Sequence, residues 1–177
     1  TEEQRGAVDA AVGALRSGAR SWTHLTLEQR ARLFERVRDT VVETADEWVD
    51  VASTSKGLDA AHPLRGEEWL SGPYAVLGAI DGYVASLRAL AKGASPLDGV
   101  RTDAAPGGRL RARVFPAAPL DRLLLSGFTG EVWFRPGTTL PAARADAGLG
   151  QRHPTREATV GLVLGAGNIT SIPVLDV

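Results

Sequence analysis

Residues 160–164 read Val-Gly-Leu-Val-Leu, an apolar run with no polar alternation. A strand with one wet face alternates polar and apolar positions. An unbroken apolar run instead predicts a strand buried on both faces, as in parallel sheets covered by helices. Gly165, Ala166 and Gly167 come directly after it, and glycines there let the backbone turn sharply and approach a ligand closely. Asn168, small polar residues and Pro173 then suit the opening of a helix. Strand, Gly-rich turn and helix start make the first half of a nucleotide-binding βαβ unit. Thr170 stands where the third glycine of G-x-G-x-x-G would fall, so spacing alone leaves a plain strand-to-helix turn open as well.

A buried parallel strand needs neighbours joined to it by crossovers of about a dozen residues or more. Too little sequence lies beyond residue 164 to supply one. The expectation is therefore an incomplete parallel, Rossmann-like sheet, and a chain that is the N-terminal part of a longer protein. With 177 residues, 44% of them hydrophobic, there is still enough material for one ordinary core. Twenty basic and 21 acidic side chains leave a net charge of −1, so no overall field favours nucleic acid or an anionic membrane. Zero cysteines exclude a disulfide framework, a thiolate metal site and a cysteine nucleophile within these residues. No run is long enough to span a membrane and the start does not read as a signal peptide, so the expected location is cytoplasmic.

The rest of the chain divides into a helical region at residues 1–94, a loop-and-strand arm at 95–158, and the start of a dinucleotide-binding domain at 159–177. In residues 2–20, Val8, Ala11, Val12 and Leu15 recur at helical spacing, and Trp22 in the next connector is placed to dock this helix on its neighbour. Thr26 with Gln29 forms a capping box. Leu27, Ala31, Phe34, Val37 and Val41 line one face beyond it, with Thr44 and Glu47 offering a second box where the helix restarts. Lys56-Gly57 closes it. A further helix over residues 67–92 is interrupted at Gly72-Pro73 and ended by Gly93, with Leu70, Tyr74, Leu77, Ile80, Val84, Leu87 and Ala91 as its buried stripe. Together these make antiparallel helices. Residues 95–108 read as a loop. Residues 109–114, 120–126 and 130–134 read as strands, with Gly127-Phe128-Thr129 turning between the last two, and 136–156 as an irregular connection. The fold class is α/β.

In this order the chain resembles the N-terminal part of the aldehyde dehydrogenase superfamily. The resemblance is carried by Leu27-Glu28-Gln29-Arg30-Ala31-Arg32-Leu33, the Lys56-Gly57 helix end, a second long helix, strands, and then residues 160–164 leading to Asn168. In that family the first strand of the cofactor domain runs into a P-W-N-F-P segment whose asparagine helps form the oxyanion hole. Here Ala166-Gly167-Asn168-Ile169 takes that place, without the Pro-Trp pair and with Pro173 further on. The Gly-Ala-Gly-Asn turn is also similar to that of the acyl-CoA reductase branch. The resemblance implies an oxidoreductase that uses NAD or NADP on an aldehyde or acyl thioester, with the catalytic cysteine and most of the cofactor site outside this segment. Exposed strand edges such as residues 109–114 invite partners, so a homo-oligomer is expected.

On that reading Asn168 is the catalytic candidate, its amide a donor to the developing oxyanion; otherwise it caps the coming helix or tolerates a left-handed turn. Gly165, Ala166 and Gly167 are the cofactor-binding candidates through their backbone; otherwise they form a simple turn. Arg109, Arg111 and Arg113 share one strand face, either to meet phosphate or, more in keeping with a near-neutral chain, as a solvated or subunit-contact face. His24, His62 and His153 share no ligand spacing, so no metal is expected. Asp46 with Glu47, and Glu67 with Glu68, read as helix-start acids, and Trp69, Tyr74 and Tyr83 as core aromatics. A non-catalytic helical interaction module is the alternative from another class.

Overall fold

The structure is a computed structural model and describes residues 1–154, 160–165 and 168–176. Helix α1 (Glu2–His24) opens with a Thr1–Gln4 capping box and continues through the expected connector. Its apolar stripe is not covered: Val8 is 61% and Leu15 57% exposed. Contact with the next helix comes at its end, where Trp22 meets Phe34 edge-on with ring centroids 6.4 Å apart and the Arg30 guanidinium lies 5.2 Å from the Trp22 centroid.

Helix α2 (Leu27–Ser55) starts as its sequence dictates. The Gln29 N–H donates to Thr26 Oγ1 at 3.2 Å and the Thr26 N–H to Gln29 Oε1 at 2.8 Å. There is no restart at Thr44. Its hydroxyl donates back to the Thr40 carbonyl at 2.8 Å, so its polar group is satisfied inside a continuous helix rather than spent on a cap. Gly57, at φ 72°, ends the helix as expected. Helix α3 (Arg65–Trp69) passes through a π-helical turn (Leu70–Tyr74) into α4 (Ala75–Ala91). The break is where Pro73 has no N–H to give, and Gly72 takes φ −106°, ψ −108°.

The core of this helical unit is Ala31 and Val41 from α2 with Val76, Ile80, Val84 and Leu87 from α4; Leu27, Phe34, Trp48, Leu77 and Leu175 pack on it. Each large side chain buried there contributes about 1.5–3 kcal/mol. Leu70, expected in the stripe, is 51% exposed, and Val76 takes a buried place instead. Tyr83 is 47% exposed yet stacks on Phe34, with centroids 5.5 Å apart.

The chain divides into two compact units, Thr1–Arg88 with His153–Val177, and Ala89–Arg152. The second holds a three-stranded antiparallel sheet in the order β1-β2-β3: β1 (Thr102–Ala104), β2 (Leu110–Phe115) and β3 (Gly130–Trp133). Three expectations change here. The loop at 95–108 contains β1. Residues 120–126 are not a strand, because α5 (Pro119–Leu124) forms there: Pro119 occupies the first turn, and the Asp121 carboxylate accepts the N–H groups of Ala117 and Ala118 at 3.0 and 2.8 Å. The connection at 136–156 carries α6 (Leu140–Asp146), capped by Thr139, and α7 (Leu149–Arg152). Moreover β2 is central rather than an edge, paired on both sides.

The larger correction concerns residues 160–164. They form no strand, and Leu162 and Leu164 are 84% and 83% exposed. Every strand pairing among the described residues is antiparallel, so the parallel Rossmann-like sheet is not present in them. A strand exists only through its ladder, and an apolar run with no neighbour to pair with stays irregular and open to solvent. The chain is α/β in the coarser sense of many helices and one small antiparallel sheet. Among the described residues no helix is long and apolar enough to cross a membrane.

Candidate functional site

The turn around Asn168 lies against the helical unit. Asn168 itself is exposed. Its carbonyl accepts a hydrogen bond from Lys56 Nζ at 3.0 Å. Two residues on, Thr170 Oγ1 accepts from Trp48 Nε1 at 2.8 Å. Ser171 is 2% exposed, and α8 (Ile172–Asp176) begins there, with the N–H groups of Val174 and Leu175 both donating to the Ser171 carbonyl. Leu175 packs on the core.

Close approach is built in at Gly72. A Cβ there would lie 3.3 Å from Thr170 Oγ1 and 3.5 Å from Trp48 Nε1, so the helix break expected from Gly72-Pro73 also leaves room for this turn. Lys56 is held from behind. Its Nζ lies 2.6 Å from Glu68 Oε1, with the Glu68 side chain 2% exposed and that of Lys56 31%. Glu67 and Glu68 stand in the first turn of α3, as helix-start acids should, and Glu68 is in addition a buried ion-pair partner. Nothing in the sequence pairs it with Lys56 except proximity across a helix–helix turn. Asp46 and Glu47, by contrast, have no helix-start role, since they sit within the continuous α2.

Of the cofactor-binding candidates, Ala166 and Gly167 lie outside the described residues. Gly165 has its side-chain space occupied by Pro173, whose Cγ a Cβ at Gly165 would strike. The missing side chain is thereby accounted for within the chain.

Arg109 and the two arginines of β2 are engaged by the protein itself. Arg111 bonds Asp103 at 2.6 Å and Glu131 at 3.1 Å, Arg113 bonds Asp103 at 3.0 Å, and Arg109 Nε donates to the Phe134 carbonyl at 2.7 Å. The hydrogen bond from Arg111 holds the Asp103 carboxyl below the usual carboxylate range; the bond from Arg113 and both positive charges add to it, against some desolvation. In return Asp103, with Glu131 second, raises the affinity of the Arg111 guanidinium for its proton. Arg111 and Arg113 share two carboxylates and Arg109 is bonded to backbone carbonyls, so the face offers a phosphate less than three unengaged guanidiniums would. Among the described residues no group of three His, Asp or Glu side chains is arranged to hold a metal.

Comparison with models of protein families, with curated proteins and with solved structures finds no match for this chain.

Proposed function

We propose that these residues are the N-terminal portion of an NAD(P)-dependent aldehyde dehydrogenase-like oxidoreductase, with Asn168 as a donor in its oxyanion hole. The reading rests on the resemblance in element order. The observation that carries it is an exposed Asn168 on a turn tied to the helical unit at its own carbonyl and again at Thr170. An amide N–H on an anchored backbone suits the task, because a donor aimed in advance at the oxygen of an attacked carbonyl costs no reorganisation when charge develops there. The attacking thiol and most of the nicotinamide site are assigned to other parts of the protein, since no cysteine is present here, with the backbone of Gly165, Ala166 and Gly167 as this segment's share of the cofactor site. Reduction of an acyl thioester to an aldehyde needs the same donor, and is the second form of the same reading.

The test uses the intact gene product, assayed for cofactor reduction with aldehydes and for cofactor oxidation with acyl-CoA. The proposal expects turnover in one direction or both, and a loss of about 10²–10³ in kcat for Asn168→Ala. Turnover unaffected by that substitution removes Asn168 from the chemistry, and turnover by residues 1–177 alone contradicts the division of labour.

A reading from another class, a helical module that binds a partner without catalysis, is favoured by the uncovered stripe of α1, with Val8 and Leu15 open. It predicts that Val8→Glu with Leu15→Glu lowers the assembled mass in light scattering; the homo-oligomer proposed for the enzyme is tested by the same measurement. An assembled mass identical in wild type and variant removes α1 from the interface.

A further inference from the structure

Lys56, Glu68 and Trp48 converge on a turn far away in sequence, and their arrangement exceeds what packing requires. A lysine at a helix end ordinarily leaves its ammonium in water at the tip of a flexible stem. Here the ammonium contacts a carboxylate that is 2% exposed, and whose second oxygen, Oε2, has no hydrogen-bond partner among the described residues. A buried ion pair satisfied on one side is a poor stabiliser, and apolar residues of the same volume generally hold helices as well. What the pair does provide is a cation in a fixed place. With Nζ fixed by Glu68 Oε1 at 2.6 Å, its remaining hydrogens have set directions, and one meets the Asn168 carbonyl at 3.0 Å. Trp48 fixes the other side of the turn through Thr170, and the core holds the chain beyond it through Leu175. The backbone is restrained at the Asn168 carbonyl and again at Thr170, while Asn168 itself is left exposed.

We propose that Lys56, anchored by Glu68, and Trp48 are positioning residues for Asn168: they clamp the turn so that its amide is presented in one place. The catalytic meaning of the clamp rests on the oxidoreductase reading, whereas its existence does not.

Two readouts in the full-length gene product separate the two claims. The variant is Lys56→Met combined with Glu68→Gln, which removes the ammonium without leaving a buried charge behind. Hydrogen exchange at the amides of Val174 and Leu175 is expected to quicken about tenfold or more, the factor set by losing a hydrogen bond to a charged group, with the amides of Val41 and Val49 in α2 little changed. In turnover, kcat is expected to fall about tenfold to a hundredfold with the cofactor KM unchanged, as for a misplaced donor. Lys56→Arg, which keeps the charge and its donors, should restore most of both. Unchanged exchange at residues 174–175, or equally faster exchange throughout α2, overturns the clamp. Altered exchange with unaltered kcat overturns the positioning role. A wild-type protein that turns over neither aldehyde nor thioester sinks the oxidoreductase reading and the positioning role with it, while the exchange result still decides the clamp. Should the double variant fail to fold, Trp48→Phe removes the bond to Thr170, with part of the ring that packs on the core, while leaving Lys56 and Glu68 in place, and is read in the same way against the α2 amides.

Discussion

Glu68 in the helical unit and Asp103 in the sheet unit are both carboxylates held by cations, yet their surroundings differ. Glu68 is 2% exposed and, among the described residues, has Lys56 as its one cationic partner; Asp103 is 30% exposed and shared between Arg111 and Arg113. Coulomb attraction is strong in both, but solvent decides what is lost when a partner goes. Water can replace a lost arginine at Asp103. It cannot easily reach Glu68, so the charge would be stranded. Stranding is what costs energy, more than the loss of the bond.

The largest expected effect comes from that contrast. Lys56→Met alone leaves Glu68 buried and unpaired, and should destabilise the protein by about 3–5 kcal/mol. Adding Glu68→Gln should recover much of the loss, although the Asn168 carbonyl remains without its donor. Urea unfolding monitored at the tryptophans measures both. Equal losses in single and double variants would mean that the stranded charge is not the cause, and the comparison with Asp103 would fail.

Next comes a packing effect in the sheet unit that involves no charge. Gly148 has φ 72°, and a Cβ there would lie 2.5 Å from Leu90 Cδ1. Gly148→Ala therefore meets both a left-handed backbone and a collision, and should cost about 2–3 kcal/mol. Trp133, the single tryptophan of that unit, reports it. Adding Leu90→Ala removes the collision but not the strain, so a double-mutant cycle should return a favourable coupling between the two changes. Zero coupling would place the whole cost in the backbone.

The same line between local and long-range causes separates the features legible in the sequence from those that were not. The Thr26–Gln29 box, the end at Gly57 and the break at Gly72-Pro73 are set by backbone chemistry within a few residues, and each is found where the sequence puts it. Leu120, Leu123 and Leu124 show the limit of pattern reading: their spacing of three and four fits one side of a helix, and the Asp121 cap decides it against the strand. Residues 160–164 carry a strand's composition, but composition cannot provide the neighbours a strand requires. The bond from Lys56 to Asn168 spans 112 positions, and no periodicity or motif announces a contact of that kind. For the candidate site, the sequence could therefore name Asn168 while saying nothing of the three side chains around its turn.

A third change sharpens the scale from the exposed side of the helical unit. Thr26→Ala removes the side-chain half of the capping box and should cost about 1 kcal/mol, less than the buried pair, because water can replace the lost acceptor at an exposed helix end. Thermal unfolding compared with Thr26→Ser, which keeps the hydroxyl, isolates the hydrogen bond. A cost for Thr26→Ser equal to that for Thr26→Ala would point to the methyl group instead.

The smallest effect at neutral pH, and the most diagnostic of the sheet, is at Asp103. Arg111, then Arg113, hold its carboxyl below the ordinary range in the folded protein, whereas in the unfolded chain it titrates near 3.9. Where pH falls below that unfolded value, the unfolded chain takes up the proton first, so stability drops with acid. The contribution is thus complete above about pH 4 and is lost as pH falls on through the lower, folded value. Asp103→Asn should remove this component, and the difference between wild type and variant, read at Trp133 in urea, should shrink steadily with acid. Salt should shrink it as well, because both arginines reach solvent. A difference that stays constant down to about pH 2 would mean that the pairing does not bind Asp103's charge more tightly in the folded state, and the sheet's arginines would again be available for another anion.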